Sequence, residues 1–590
     1  MPFDGLVLAA VTRELEEKLT GGRIERVYQP AREEIILTVH RPGWRGRLLL
    51  AAGAAAPRVH LTTATPENPV APPPFCMLLR KYLEGGRISG FRQPDLERVL
   101  IISVDSRDEL GNPAPKQLIV EIMGKHSNII LTDPATQTIT DGIKRYSHAV
   151  SRYREVLPGR VYLPPPQQEK LNPLQTGEEA FRAACLGATL DAPLPQVLQQ
   201  CFNGMSLTSC REIIYRANLA LDLILDQCGE YELRSVWLAF RDFCAAAQTG
   251  AFTPCLTLKP DGAWADFAAL DLTHAEARRQ NGGMNDLLDL YYNDLTDRRK
   301  LDQERNLILK TVNKEINKQK KKLDIFAKSM SEAAKAGDLQ LYGELLTANL
   351  YRLETGLKEA FLENYLDGAQ MVTIPLDPWK TPVENAQHYF KRYAKAKNTR
   401  VALAVQIRQA EEIRDYLEGV KTNLEQSGDQ AGLKEINQEL AEQGFVKLPA
   451  ATKAGAKKKK AKAKPLLLEA LSSDGWPILI GKNNKQNDYL TLKLAQDHDL
   501  WLHTKEIHGA HVLIRTEGRA VPPTTLQEAA NLAAYYSKGR HSDNVPVDYT
   551  PKKHVSKPNG ARPGLVIYTH QKTLTVTPDE TLIAKLLTPK

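Results

Sequence analysis

No apolar stretch in this 590-residue sequence is long enough to cross a bilayer. The opening residues Met1-Pro2-Phe3-Asp4-Gly5 lack the basic run and apolar core of a secretory signal, so the expected location is the cytoplasm. Cysteine is scarce. The seven thiols, at Cys76, Cys185, Cys201, Cys210, Cys228, Cys244 and Cys255, include no CxxC pair, and an odd number argues for reduced, buried small side chains rather than a disulfide framework. Enzymatic signatures are missing too: there is no GxGxxG, HExxH or GxSxG. Gly481-Lys482 resembles the end of a phosphate loop, but Asn483 stands where a metal-binding hydroxyl must follow, and Gly475 is one position too far away. The expectation is a binding protein with no catalytic residues and no cofactor.

What is present is a change of texture along the chain. Up to about Pro166, strand-like runs (Glu33–Val39, Arg47–Ala51, Val99–Val104, Leu118–Glu121, Ile129–Thr132) mix with helices over Leu6–Leu19 and Phe75–Leu83. A helical stretch, Glu178–Cys228, contains the turn Phe202-Asn203-Gly204-Met205-Ser206. It has the outline of a helix-hairpin-helix that offers backbone N–H groups to a phosphate, with an ordinary helical hairpin as the plainer reading. From about Asn285, Leu301, Ile308, Val312, Leu323, Phe326 and Met330 keep a three-four alternation. A second stripe has Leu403, Ile407, Ala410, Ile413, Leu417, Val420 and Leu424. Two such stripes predict an antiparallel coiled coil, and the prolines of Ile374-Pro375-Leu376-Asp377-Pro378-Trp379 predict a small module between its arms. Lys453–Lys464 reads as a mobile basic linker. Beyond it an α/β module resumes, with strands expected at Pro477–Ile480, Tyr489–Leu492, His511–Ile514, Leu565–Tyr568 and Thr573–Val576 and a helix at Leu526–Tyr536.

Net charge is +8, a mild bias whose meaning depends on where it falls. Lys125-His126-Ser127-Asn128 joins phosphate donors to a ring that can stack on a base. Lys144-Arg145-Tyr146 and Arg152-Tyr153-Arg154 interleave cations with aromatics, as an RNA-binding surface does. Lys314–Lys322 is dense in lysine; Lys318, Lys320, Lys321 and Lys322 are candidate phosphate contacts, with a solvated coiled-coil face as the alternative. Lys552, Lys553, His554, Lys557 and Arg562 form another basic stretch. His498, His503, His508 and His511 gather beside Asp497 and Asp499 in a spacing that fits no standard metal set, which favours a structural or RNA-facing surface and no metal. Pro2 would become a secondary amine after loss of Met1, and with Asp4 nearby it admits a DNA glycosylase/lyase reading.

Several blocks carry a family resemblance: Phe3-Asp4-Gly5, Gly21-Gly22-Arg23-Ile24, Phe75–Lys81, Val120–Asn128 with its Met-Gly-Lys-His-Ser-Asn core, Asp377-Pro378, Asp499–His503 and Pro563-Gly564. The sequence resembles the RqcH/NEMF family of NFACT-domain, fibronectin-binding-like proteins of ribosome-associated quality control. The resemblance implies a multidomain α+β fold. Its parts are a mixed α/β NFACT-N domain (1–172), a helix-hairpin-helix (173–230), a helical connector (231–280), a long antiparallel coiled coil with a middle module (281–446), a Lys/Ala-rich linker (447–465) and an α/β NFACT-R domain (466–590).

By the same resemblance, the partners are a stalled 50S subunit carrying peptidyl-tRNA, tRNA(Ala) and an RqcP-type small RNA-binding factor. The implied function is the addition of C-terminal alanine tails without mRNA, with peptidyl transfer done by the ribosome. The implied tRNA contacts are Asp4, Glu97, Arg98, Glu121, Ile122, Met123, Lys125 and His126, and Lys318, Lys320, Lys321, Lys322, Lys552 and Lys553 are the rRNA candidates. The family's usual Asp is Glu at position 97, which keeps the charge and adds a methylene; a strand-end ion pair of Glu97 with Arg98 is the rival reading. A surface fibronectin-binding adhesin is the alternative function that the older family name suggests.

Overall fold

The computed structural model describes residues 3–149, 153–166, 168–259, 262–279, 282–334, 336–365, 370–446 and 465–587. Pro2, Arg152 and the basic linker from Lys447 to Lys464 lie outside the described residues. The chain divides into two compact units, Met1–Asp297 and Arg298–Lys590. No helix among the described residues is long and apolar enough to cross a membrane.

The first unit begins with α1 (Gly5–Leu19), whose first turn is closed by Asp4: Oδ1 accepts from the Val7 N–H at 2.9 Å. Leu8, Val11, Leu15 and Leu19, spaced three and four apart, face the core. There follow β1 (Arg23–Ala31), β2 (Glu34–Arg41), β3 (Trp44–Ala51), β4 (Arg58–Thr62), α2 (Pro74–Leu83), β5 (Arg87–Arg92), β6 (Val99–Asp105), β7 (Lys116–Glu121), β8 (Asn128–Thr132) and β9 (Ile139–Gly142). They form a nine-stranded antiparallel sheet in the order β4-β3-β2-β1-β5-β6-β7-β8-β9. One face meets α1 and α2. The other carries a smaller cluster around β6–β9, in which Ile101, Ile119 and Ile130 pack with Met123, Tyr146 and Tyr162.

Helices α3 (Glu178–Leu186), α4 (Leu194–Cys201), α5 (Leu207–Arg216) and α6 (Glu230–Thr249) pack into the main core through Phe181, Phe202 and Phe240, whose rings lie 4.6–5.4 Å apart. The stretch expected as a helical connector, 231–280, is helical only through α6. It continues as a three-stranded sheet of β10 (Cys255–Leu258), β11 (Trp264–Ala268) and β12 (Arg278–Arg279). Gly250 ends α6 in a left-handed conformation (φ 71°), and the apolar alternation that follows suits strands.

The second unit takes in most of α7 (Met284–Ala334), then α8 (Ala336–Ala348), β13 (Glu359–Asn364), β14 (Gln370–Pro375), α9 (Pro382–Gln426) and α10 (Gln430–Glu442). Cross-contacts run in opposite senses along α7 and α9: Arg305 donates to the Ser427 carbonyl at 2.7 Å and Lys320 pairs with Glu418 at 3.3 Å, so the two helices are antiparallel. The seam is tightest where Ile308, Val312 and Ile316 meet Tyr416, Leu417, Val420 and Leu424, with α10 covering them through Leu433, Ile436 and Leu440. Leu323, Phe326 and Met330 are only half-buried. The module between the arms has its own core of Leu345, Leu346, Leu362, Ile374 and Tyr389.

The C-terminal part contains β15 (Leu468–Leu471), β16 (Pro477–Gly481), α11 (Asn484–Tyr489), β17 (Leu500–Thr504), β18 (His511–Ile514), α12 (Pro523–Tyr535), β19 (Val545–Pro551), β20 (Val555–Ser556), β21 (Ile567–Tyr568), β22 (Lys572–Val576) and α13 (Glu580–Leu587). Six strands pair in the order β15-β16-β18-β17-β19-β22. The expected strand at Tyr489–Leu492 is instead helical: Asn483 caps α11 by accepting from Gln486 N–H, and the helix runs on as a wider turn over Leu490–Leu494. Leu565–Tyr568 is strand only at β21.

Candidate nucleic-acid interface

The loops at one end of the first unit's sheet bring the predicted tRNA residues together. Between β5 and β6 the chain turns through Asp95 and Leu96, both left-handed (φ 41° and 57°) although neither is glycine. The packing around them holds this conformation. A Cβ added to Gly5 would lie 2.1 Å from the Leu96 carbonyl oxygen, and one on Gly204 would lie 2.7 Å from the same atom. Gln93 braces the loop by donating to the carbonyls of Gly5 (2.8 Å) and Glu97 (2.9 Å). Glu97 and Arg98 follow, both half-buried. Asn203 donates its amide to Glu97 Oε1 at 2.9 Å. The Arg98 carbonyl accepts from Ile122 N–H at 2.8 Å, which sets the two family segments side by side across β6 and β7. Lys170 lies close enough to feel both side chains: burial and then the Arg98 guanidinium hold its ammonium below the usual lysine range, while Glu97 opposes this.

The turn between α4 and α5 lies where the sequence admits either a helix-hairpin-helix or an ordinary helical hairpin, and the helix N-terminus it exposes is already occupied. Asp4 Oδ2 accepts from the Ser206 N–H (2.9 Å) and from the Ser209 hydroxyl (3.0 Å), so the carboxylate that caps α1 also sits at the start of α5. Burial pushes the Asp4 carboxyl up, and the donors from Val7, Ser206 and Ser209 pull it back. Asp4 is buried, a tie between two helices rather than a group facing solvent. The lyase reading needs an acid available near Pro2, and this one is fully engaged.

Glu121 ends β7, and Ile122 and Met123 just beyond it still face alternate sides. Ile122 enters the main core; Met123 lies half-buried beside Tyr146 and Tyr162. Glu121 is fully buried and grips Arg154 through two bonds of 2.6 Å each while accepting from the Tyr162 hydroxyl at 2.9 Å. This corrects the expectation of Arg154 as a surface cation: a buried carboxylate holds it inside. Arg145 pairs with Asp141 through two contacts of 2.7 and 2.8 Å but stays exposed, and Lys144 donates to the Ala52 carbonyl at 2.7 Å. Beyond Met123, a single 3-10 turn (Gly124–His126) projects Lys125 and His126 into solvent. The turn is fixed from behind, where the Ser127 hydroxyl accepts from Met123 N–H at 2.7 Å and the buried Asn128 bridges to the backbone of Lys144.

In the second unit, Lys318 pairs with Glu315 (3.2 Å) and Lys320 with Glu418, while Lys321 and Lys322 are exposed on α7. Lys552 reaches Asp497 (3.5 Å) and Lys557 pairs with Asp488 (2.5 Å), leaving Lys553 the more exposed of the Lys552–Lys553 pair. Two of the four clustered histidines, His503 and His511, pack as rings around Trp501. The His503 ring lies parallel to Trp501 at 5.8 Å, and His511 meets Trp501 edge-on at 5.1 Å while hydrogen-bonding Thr491 at 2.8 Å. Burial, with His508, pushes His503 down to about 4, and burial with His503 holds His511 well below the usual imidazole range. Among the described residues no group of three or more His, Cys, Asp or Glu is arranged to hold a metal ion.

Sequence reasoning missed Asn203, Lys170 and Gln93 as parts of the Glu97–Arg98 site. Asn203-Gly204 stood in the helical-hairpin motif, but nothing local ties it to a residue 106 positions earlier.

Comparison with known proteins gives two family matches: NFACT N-terminal and middle domains over residues 4–462, and NFACT protein RNA binding domain over residues 466–569. The chain is 41% identical over 589 residues to "Rqc2 homolog RqcH" of Bacillus subtilis (strain 168), covering 99% of this chain and 100% of that one. It is 30% identical over 131 residues to "Ribosome quality control complex subunit NEMF" of Homo sapiens, covering 22% of this chain and 11% of that one. Among solved structures, the N-terminal part of the fibronectin/fibrinogen-binding protein from Streptococcus suis aligns with a TM-score of 0.41 and 35% identity, covering 50% of this chain and 99% of that one.

Proposed function

The chain belongs to the NFACT family of ribosome quality-control proteins that includes RqcH and NEMF, and on that premise we propose that it binds stalled 50S subunits carrying peptidyl-tRNA and recruits tRNA(Ala) to extend the nascent chain with alanine. The ribosome performs peptidyl transfer; this protein contributes position, which is itself a large source of rate. It works in the cytoplasm, and a small RNA-binding factor of the RqcP type cycles with it.

The observation that carries this reading is the grouping of Arg98, Lys170 and the exposed Lys125–His126 turn on loops at one end of a rigid sheet, with Glu97 oriented by Asn203. Two neighbouring cations raise each other's energy, and an RNA phosphate brought between them relieves that cost. His126 offers a ring for a base, and Glu97 an acceptor for a base amino group. Asp4, Glu121 and Ile122 act from behind, fixing the loops that touch RNA. Lys321 and Lys322 on α7, and Lys553, supply contacts to ribosomal RNA, with Lys318, Lys320 and Lys552 released from their acids to join them.

The direct test is reconstitution. Purified 50S subunits with peptidyl-tRNA, alanyl-tRNA(Ala) and the small factor are mixed with this protein and no mRNA. Stepwise growth of the peptide by alanine supports the proposal; an unextended peptide, or growth indifferent to the charged tRNA supplied, contradicts it.

A further inference from the structure

The β2–β3 hairpin turns on Pro42-Gly43, with Gly43 left-handed (φ 77°), which makes Trp44 the first residue of β3 and pairs it with Arg41. Pairing with β4 begins only at Arg47 and Thr62, so Trp44, Arg45 and Gly46 run past the end of that neighbour. A cavity of about 720 Å³ opens there, bounded by Trp44, Arg45, Arg47, the loop after Thr62, Lys18 and Asp286. Small-ligand sites span roughly 300–1,000 Å³. The cavity lies in the β1–β4 half of the sheet, away from β6 and β7 with their Glu97–Arg98 and Glu121 segments.

The walls are held by the protein's own bonds. Arg47 Nη1 donates to the carbonyls of Thr63 (3.2 Å) and Ala64 (3.3 Å). Asp289 accepts from the Thr62 hydroxyl (2.6 Å), the Thr63 N–H (3.0 Å) and the Thr63 hydroxyl (2.6 Å), so its charge is spent inside the wall. Strand alternation sends Arg45 and Arg47 to one side of β3 and Trp44 to the side of Gly46. Gly46 seats the indole, since a Cβ there would fall 2.2 Å from the Trp44 ring. Arg45 is exposed and meets Glu25 at 2.8 Å, while Lys18 reaches Glu14 only at 3.9 Å. With Asp289 engaged, three cations face one acid, Asp286, around a half-buried aromatic ring.

We propose that this cavity is a nucleotide site, with the base stacked on Trp44 and the phosphate held by Arg45 and Lys18. A guanidinium meets phosphate with two parallel donors, and an aromatic ring accepts any base through its π face. Asp286 and the Thr65 hydroxyl, also at the wall, offer partners for a ribose. A purely apolar ligand would leave these charges unpaired, and a lone phosphate would leave the ring unused. The nucleotide comes from an unpaired stretch of RNA or from free solution, with the same chemistry in both cases. The site does not rest on the alanine-tailing reading, because it shares no residue with the predicted tRNA contacts.

The test uses the full-length protein and two probes: AMP in equilibrium dialysis, and a uridine hexanucleotide carrying 4-thiouridine, irradiated and mapped by peptide mass spectrometry. The hexanucleotide should crosslink to residues 44–47 or 62–68. Trp44→Ala and Arg45→Ala should each weaken binding about tenfold, and Trp44→Phe, which keeps a ring, should retain most of it. A crosslink that AMP displaces assigns the site to free nucleotides, and one that AMP leaves in place assigns it to RNA; both support the proposal. Arg45 is exposed, so Arg45→Ala decides the matter if Trp44→Ala lowers the melting temperature. Crosslinks confined to other segments, no binding of either probe, or unchanged affinity in both alanine variants would overturn it.

Discussion

Asn203 donates its side-chain amide to Glu97 Oε1 at 2.9 Å, so the turn between α4 and α5 holds the loop that leads into β6. The carboxylate is half-buried and its neighbour Arg98 stands beside Lys170, so the orientation of Glu97 sets how much positive charge this end of the sheet presents. Asn203→Ala is expected to cost about 1–2 kcal/mol of stability by removing a hydrogen bond to a charged group. It should also weaken tRNA binding about five- to tenfold. Urea unfolding and filter binding of tRNA measure the two effects separately.

Arg98→Ala should lower tRNA affinity about 10- to 100-fold, the scale of one charge-assisted contact, and leave sedimentation with 50S subunits nearly unchanged. Arg98→Lys should restore only part of the loss, because an ammonium cannot reproduce a planar fork of donors. Parallel loss of tRNA binding, subunit binding and melting temperature would assign Arg98 to an internal ion pair instead.

Glu121 tests the difference between touching RNA and positioning what does. Glu121→Ala strands the buried Arg154 cation and the Tyr162 hydroxyl, an expected cost of about 3–5 kcal/mol. Chemical denaturation should show that loss, and any fall in tRNA affinity should scale with the fraction unfolded. Unchanged stability with lost tRNA binding would make the Glu121 carboxylate a direct contact.

The strand residues of the sheets were legible because alternation and β-branched runs at Val99–Val104 and Ile129–Thr132 depend on neighbours two positions away. The coiled-coil arms were legible for the same reason at helical spacing. What escaped were long-range polar ties. Asp4 meets Ser206 and Ser209 across more than 200 residues, and Glu121 meets Arg154 across 33, so local pattern gave no sign that these groups are consumed internally. The cation read as an RNA surface at Arg154 was misjudged because its acid, Glu121, turns inward with it, whereas Arg145 pairs with Asp141 and stays exposed. The strand expected at Tyr489–Leu492 failed on one cap: Asn483 starts a helix that β-favouring composition does not override.

The buried histidines make stability pH-dependent in a defined direction. His60, pushed down to about 4 by burial and Arg58, and His503, pushed down to about 4 by burial and His508, bind protons more readily unfolded than folded. Their effect is absent well above the unfolded value near 6.5 and grows as pH falls toward 4, at about 1.4 kcal/mol per pH unit for each group. His511 acts in the same sense. Melting temperature should fall across that window, and His503→Phe should flatten the decline.

Ribosome binding should weaken steeply with salt, since each phosphate contact releases counterions. Lys321→Glu with Lys322→Glu should reduce both the affinity for 50S subunits and the slope of its salt dependence. Lys318→Glu should do less, because Glu315 already neutralises that side chain. Equal effects from all three would indicate general charge rather than a defined face of α7.

The central claim is that this chain holds a charged tRNA on a large ribosomal subunit. The most direct measurement is to recover the tagged protein from cells and sequence the RNA bound to it. The account predicts large-subunit rRNA together with one dominant tRNA, tRNA(Ala), and loss of the tRNA but not the rRNA from Arg98→Ala. RNA without rRNA or tRNA enrichment, or a tRNA mixture that matches the cellular pool, would contradict it.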